Sequence, residues 1–153
     1  MRTLRFVALL CCALVFGLTL SHVLQASGSE GLSGPVWLQV QQTFYGGFAV
    51  VGGVAEILGL ITAGILAVRL RSAQPITAGA FALATLCLLG TLAAYFLGNR
   101  PVNALIARWT PATLPSDWIR YRDQWESAHA VSAALSGLAL IVLLISALPR
   151  ARP

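Results

Sequence analysis

Charge is what this sequence has least of. Only 10% of its 153 residues are charged, lysine is missing altogether, and five acids stand against ten arginines. A net charge of +5 would suit a nucleic-acid partner. No arginine cluster lies on a soluble stretch, however, so nucleic acid is excluded as a partner. The arginines fall instead in short connections between apolar runs, where they bear on membrane orientation. Cysteine is also scarce. Cys11, Cys12 and Cys87 lie inside apolar runs without metal-ligand spacing and are expected to pack as small hydrophobes. There is no internal repeat and no low-complexity tail.

What fills the sequence is apolar: 58% of its residues are hydrophobic, with a mean hydropathy of +0.80. This composition predicts an all-α integral membrane four-helix bundle, antiparallel, in a single domain covering residues 1–153, bound by membrane lipid. The spans are expected near 6–24, 45–68, 76–97 and 125–148. The first follows the basic cap Met1–Arg5 and is longer than a signal-peptide core. Ala26-Ser27-Gly28 is a weak cleavage motif, so the segment is expected to be retained. Residues 25–34 read as a polar connection, and Pro35–Phe44, with Trp37 and three Gln, as an interfacial segment.

In the second span Ala55, Gly59, Ala63 and Ala67 form a small-residue stripe that lets a neighbouring helix approach. The third span starts after Pro75. A long connection with three Pro and two Trp follows it, within which Val102–Trp109 reads as a short amphipathic helix at the membrane surface. The last helix is predicted from an N-cap at Ser116, with Asp117 in its first turn, to Leu148, 33 residues. At 1.5 Å per residue it would run roughly 50 Å, against a hydrocarbon core of about 30 Å. Its first turns, carrying Arg120, Arg122, Trp125 and Glu126, should therefore stand outside the bilayer, with His129 near the boundary.

Four spans put both termini on one side, together with Arg2, Arg5, Arg69, Arg71, Arg150 and Arg152 and no acid. The positive-inside rule makes that side cytoplasmic. The expected location is a bacterial inner membrane or a plasma membrane, crossed several times.

The same alternation brings four helix ends into one outer leaflet, and these ends carry His22 and Gln25, Tyr45 and Glu56, Asn99 and Asn103, and Arg122, Trp125, Glu126 and His129. Tyr45, Phe48, Gly52 and Glu56 share one helix face, as do Arg122, Trp125, Glu126 and His129. Glu56 lies about 12 Å below the surface on helical geometry. A carboxylate there should turn inward to a partner, with His22, His129 and an Arg in reach. The alternative is a hydrogen bond that merely joins two spans. Two histidines on separate spans could act as acid and base, ligate haem, or bind a metal with Glu56; the cofactor stays open. Tyr45 and Trp125 also suit an interfacial belt, and Arg122 with Glu126 a surface i, i+4 pair.

The strings His22-Val-Leu, Tyr45-x-x-Phe48-x-x-x-Gly52-x-x-x-Glu56, Asn99-x-Pro101-x-Asn103 and Arg122-x-x-Trp125-x-x-x-His129 resemble the anthrone-oxygenase-like family. This is a broad group of small four-helix membrane proteins, and the resemblance covers nearly the whole chain. In the first loop the sequence departs: relatives tend to carry an acidic residue at the position of Gln25, followed by a Pro and a basic residue. Here the stretch reads Gln25-Ala-Ser-Gly-Ser.

The resemblance implies oxygenation of a small lipophilic aromatic to a quinone without a conventional cofactor. It makes Glu56, His129 and His22 the candidate catalytic residues, with Glu56 or His129 as base. Tyr45, Asn99, Asn103, Arg122, Trp125 and Glu126 become candidate substrate-binding residues, with Arg122 and Asn103 on the oxyanion. Two other classes stand beside this oxidoreductase reading. One is a non-catalytic protein that binds a lipid, quinone or partner in the same pocket. The other is a permease using Glu56 as carrier, disfavoured because no span reads as broken and the polar groups occupy one leaflet.

Overall fold

A computed structural model describes residues 1–148, and they form helices without a strand. In order these are α1 (Arg2–Ser29), α2 (Gly34–Phe44), α3 (Gly46–Leu70), α4 (Pro75–Ala94), a π-helical turn (Tyr95–Asn99), α5 (Arg100–Ile106) and α6 (Trp118–Ala147). Among the described residues, four helices are long and apolar enough to cross a membrane: α1, α3, α6 and the continuous rod Pro75–Ile106. Helix α1 packs against α3 and α6, and α4 also packs against α3 and α6, closing a ring. Large aliphatic side chains such as Val50, Ile61, Leu86 and Ile141 cover its outside, as a surface facing hydrocarbon requires.

Local chemistry sets the boundaries. Pro35 and Pro75 sit in the first turns of α2 and α4, where a missing N–H costs no hydrogen bond. Leu148 adopts extended backbone, φ −66° and ψ 142°, as expected of a residue followed by proline. The expected polar connection after Leu24 begins later, because residues 25–29 continue α1. No breaker stands in Gln25-Ala-Ser-Gly-Ser, and Ser29 donates to the Ala26 carbonyl at 2.9 Å. Helix α6 likewise starts at Trp118 with Asp117 as its cap, not Ser116. Pro115 through Trp118 forms a turn closed by Trp118 N–H to Pro115 O at 3.1 Å.

The largest departure from expectation lies after the third span. The short helix runs over Arg100–Ile106 and continues α4, with no break before it. Pro101 explains the junction. It can donate no hydrogen bond to the preceding turn and its ring crowds that turn's carbonyls. The backbone widens instead, with Arg100 N–H bonding Tyr95 O. The carbonyl of Gly98 is met by Gln124 Nε2 at 3.1 Å.

The ring is packed at one end and hollow at the other. Around Ala8, Cys11, Cys12, Ala63, Leu66, Phe81, Ala84, Leu88 and Leu143 the core is dense. The three cysteines are free and buried there. The expected stripe is part of this contact: Ala55 and Ala63 are buried, and a methyl on Gly59 would come 3.0 Å from Cys11 Cβ. At the other end Trp37, Leu38, Val102, Ile106 and Trp125 form a second cluster, with Trp109, Leu114 and Trp118 packed on it. Helix α2 is fastened there by Gln42, whose Nε2 donates to the carbonyls of Ile106 (2.8 Å) and Trp109 (3.0 Å).

Close approach at the π turn gives a direct test. A methyl at Gly98 would overlap Ala128 Cβ on α6, whereas one at Gly79 meets nothing within 4 Å. Gly98→Ala should therefore lower stability by about 1–3 kcal/mol through overpacking. Gly79→Ala should be neutral or stabilising by about 0.5–1 kcal/mol. Thermal unfolding in detergent reads both, and equal melting temperatures would contradict the tight contact.

Candidate functional site

The hollow end encloses a cavity of about 810 Å³, bounded by α1, α3, the α4–α5 rod and α6, with α2 at its edge. His22, Tyr45, Glu56, Asn99, Asn103, Trp125 and His129 all line it. Tyr45, Phe48, Gly52 and Glu56 do so from one face of α3, as their spacing predicts. Arg122 and Glu126 do not belong to the wall.

His22 is the centre of an aromatic cluster. Its ring centroid lies 4.1 Å from that of His129, 4.7 Å from Tyr45, 4.8 Å from Trp125 and 5.2 Å from Phe48. The two imidazoles are nearly stacked, at 31°. The Nδ1 atoms of both are buried without a hydrogen-bond partner, which is uncommon for buried polar atoms. Among the described residues no group of three His, Cys, Asp or Glu side chains has metal-holding geometry.

Trp125 is held at both ends. Its carbonyl accepts from Asn99 Nδ2 at 2.9 Å, and its indole N–H donates to Asn103 Oδ1 at 2.9 Å. The Asn-x-Pro-x-Asn string thus clamps one tryptophan, with Pro101 producing the π turn that precedes it. The bond to Trp125 occupies Asn103 Oδ1 and leaves its Nδ2 without a partner among the described residues. Tyr45 is oriented by its hydroxyl, which donates to Gln25 Oε1 at 2.7 Å.

The expected partner of Glu56 was a His or an Arg; the partner is Thr91, whose hydroxyl bonds the Glu56 carboxyl. Thr91 also bonds the Leu88 carbonyl at 2.7 Å and is 2% exposed. A hydroxyl on the neighbouring helix satisfies Glu56 without a second buried charge, and so without a second ion to desolvate. Thr91 lies eight residues before Asn99, on the same helical face, and that spacing is the sequence signal that would have found it. Ser132 and Ser136 follow His129 at i+3 and i+7 in the same way. Ser132 lines the cavity floor beside Thr19, and Ser136 bonds Thr19 below it at 3.2 Å.

Arg122 and Glu126 are not the i, i+4 pair that their spacing predicts. Arg122 binds Asp123 through Nε (3.1 Å) and Nη2 (2.9 Å), with its guanidinium 5.6 Å from the Trp118 ring. Glu126 accepts from the Ser29 hydroxyl. The helical face they share with Trp125 and His129 is wide enough for its two edges to point into different surroundings, toward the α6–loop contact on one side and the end of α1 on the other. Arg122 is consequently not placed to bind an oxyanion in the cavity.

No protein-family model, curated protein or solved structure matches this chain.

Both asparagines can be tested without knowing a ligand. Asn99→Ala removes the second donor to the Trp125 carbonyl, which keeps its helical bond within α6, and should cost about 0.5–1.5 kcal/mol. Asn103→Ala frees the indole N–H beside an open cavity, so it should cost less but alter tryptophan emission and near-ultraviolet dichroism. An Asn103→Ala protein with unchanged tryptophan spectra would show that the indole is not held as described.

Proposed function

We propose that this protein is a multi-pass membrane enzyme of the anthrone-oxygenase-like kind, acting on a small lipophilic aromatic in the cavity. In this reading the four long helices are antiparallel. Neighbouring pairs support it: Leu18 with Gly52 and Cys11 with Gly59, Glu56 with Thr91 and Gly64 with Thr85, Gly90 with Leu135 and Gly98 with Ala128. In each helix pair one number rises as its partner falls. Arg2, Arg5, Arg69 and Arg71 then share one end, which the positive-inside rule assigns to the cytoplasm. Arg150 and Arg152, expected with them, lie outside the described residues. The cavity belongs to the outer leaflet, and α2, α5 and the connection before α6 lie at the outer interface.

One observation carries the enzymatic reading. A carboxyl, an imidazole pair and an amide donor converge on a single cavity walled by Tyr45, Phe48 and Trp125. Glu56, held through one carboxyl oxygen by Thr91, is the base for an acidic benzylic C–H. Asn103 Nδ2 is the donor for the oxyanion that forms as the carbanion delocalises onto the ring carbonyl. Dissolved dioxygen is the oxidant. It adds to the carbanion, the O–O bond breaks, one oxygen remains as the new C=O, and the other leaves as water with the two hydrogens of the methylene. For an anthrone the balance is CH₂ + O₂ → C=O + H₂O. The aromatic walls hold the ring flat and keep water from the carbanion.

Anthrone supplied to reconstituted vesicles tests this reading through dioxygen uptake and anthraquinone formation. The protein should accelerate both above empty vesicles. Glu56→Gln should lower kcat by about 10²–10⁴-fold, the range for loss of a general base, and stay folded because the amide still reaches Thr91. A rate no higher than that of empty vesicles would leave a binding protein instead.

Orientation has its own check. Pro111→Cys should react with an impermeant maleimide in intact cells, while the buried native cysteines stay silent. Labelling only after the cells are opened would reverse the topology. A tag at Pro153, which lies outside the described residues, should be reached only from the cytoplasm.

A further inference from the structure

A lipophilic molecule can reach a cavity in a helical bundle through the bundle's end or through its side. The end is largely covered here, with Gln42 and Ala107 the exposed wall residues at its margin beside Gly46. Trp37, Leu38, Val102, Ile106 and Trp125 are buried in one cluster across it, and Gln42 ties α2 to the carbonyls of Ile106 and Trp109.

The side is different. Gly46, Ala49, Gly53 and Ile57 fall at i, i+3, i+7 and i+11 on α3, along one edge of the helix. All four line the cavity and all four are exposed on the protein surface. Tyr95 and Phe96, from the π turn, also line the cavity while being 38% and 53% exposed. The π turn is not among the elements packed closely on α3, so these exposed wall residues face one another across a gap. The gap is a slot between α3 and the π turn, roughly 16 Å long from Gly46 to Ile57 on helical geometry.

Its margins are apolar: Val50 is 67%, Val54 57% and Leu97 78% exposed.

The glycines make the same point from the sequence. Gly in a helix interior costs about 1 kcal/mol against Ala, and a tight contact or a left-handed backbone usually accounts for it. Neither applies to Gly53, which is interior to α3; Gly46 is the first residue of the helix. A methyl at either position would meet nothing within 4 Å, and no glycine among the described residues has a positive φ. What the missing side chains do is leave the slot open.

We propose that the slot is a lateral portal. Through it a flat aromatic molecule dissolved in the bilayer enters the cavity edge-on from the lipid, and Gly46, Ala49 and Gly53 set the width it must pass. This rests on the reading that the cavity holds a lipophilic aromatic, and it adds the route and the residues that select by thickness. A methyl at position 53 would still meet nothing within 4 Å, so a large side chain is needed there to narrow the passage.

Two measurements decide it. A nitroxide on Gly53→Cys, in phosphatidylcholine vesicles, should collide often with dioxygen and rarely with a water-soluble nickel chelate, as a lipid-facing site does. The opposite ratio would place the slot in water and overturn the portal, whether or not anthrone binds. The second measurement follows anthrone transfer from vesicles into the cavity by quenching of tryptophan emission. Gly53→Phe should melt within a few degrees of the parent and slow association and dissociation together by about tenfold or more, with Kd within threefold. Gly47→Phe, on open surface outside the slot, should leave both rates within twofold. A Gly53→Phe protein with unchanged association would overturn the portal, and so would a raised Kd at unchanged association, which makes residue 53 a wall of the cavity and not its door. Failure of the parent itself to bind anthrone would sink the ligand reading, while the nitroxide still reports on the opening.

Discussion

Trp125 sits in an apolar bundle and is gripped at two points by one neighbouring rod: Asn99 on its carbonyl and Asn103 on its indole N–H. Unpaired polar groups are costly in such surroundings, so the two asparagines hold α6 against the rod in a single register. The rest of the site depends on that register. The indole edge supports His129 and His22, and its outer face belongs to the aromatic cap that carries α2 and α5. The clamp works because Pro101 forbids a regular helix at this point. The wider π turn that results lets Gly98 approach Ala128 closely. Single π turns inside longer helices are often found at functional sites.

Packing and emptiness are divided between the two ends of the same helices. Ala, Cys, Gly and Leu interlock at one end. Toward the other, the side chains become aromatic and polar and the helices hold a space between them. Thr19, Thr91, Ser132 and Ser136 lie where the dense part gives way to the hollow part, and Thr19, Thr91 and Ser136 each bond a carbonyl three or four residues back on their own helix. Such hydroxyls cross between helices at little desolvation cost. They form a polar floor under a chamber whose walls are mainly carbon, which suits a ligand with a flat apolar body and a few oxygen atoms.

Charge is used sparingly within this chamber. Glu56 is its one acid, and Thr91 answers it. Arg122, the cation nearest in sequence to the wall residues of α6, is engaged with Asp123 outside the cavity. An internal ion pair would raise the cost of desolvation. A hydroxyl partner fixes the position of the carboxyl without a second charge.

Helical class and the four long apolar runs were determined by the sequence alone, because hydrophobic length in the third, uncharged solvent of the bilayer is a one-dimensional property. The convergence of His22, Tyr45, Glu56, Asn99, Asn103, Trp125 and His129 on one cavity was legible too, since helical periodicity puts them on shared faces near the helix ends. The particular partners were not. Glu56 could meet His, Arg or Thr by depth, and only the rotation of α4 against α3 selected Thr91. Arg122 and Glu126 shared a helical face with Trp125 and His129. Whether that face's edges entered the cavity depended on where α1 and the connection before α6 packed. Helix ends at residues 25–29 and 116–118 were decided by local hydrogen bonds that periodicity does not record. The opening beside Gly53 was decided by tertiary structure for a related reason: a glycine pattern states that side chains are missing, but a gap exists only if no neighbouring helix fills it.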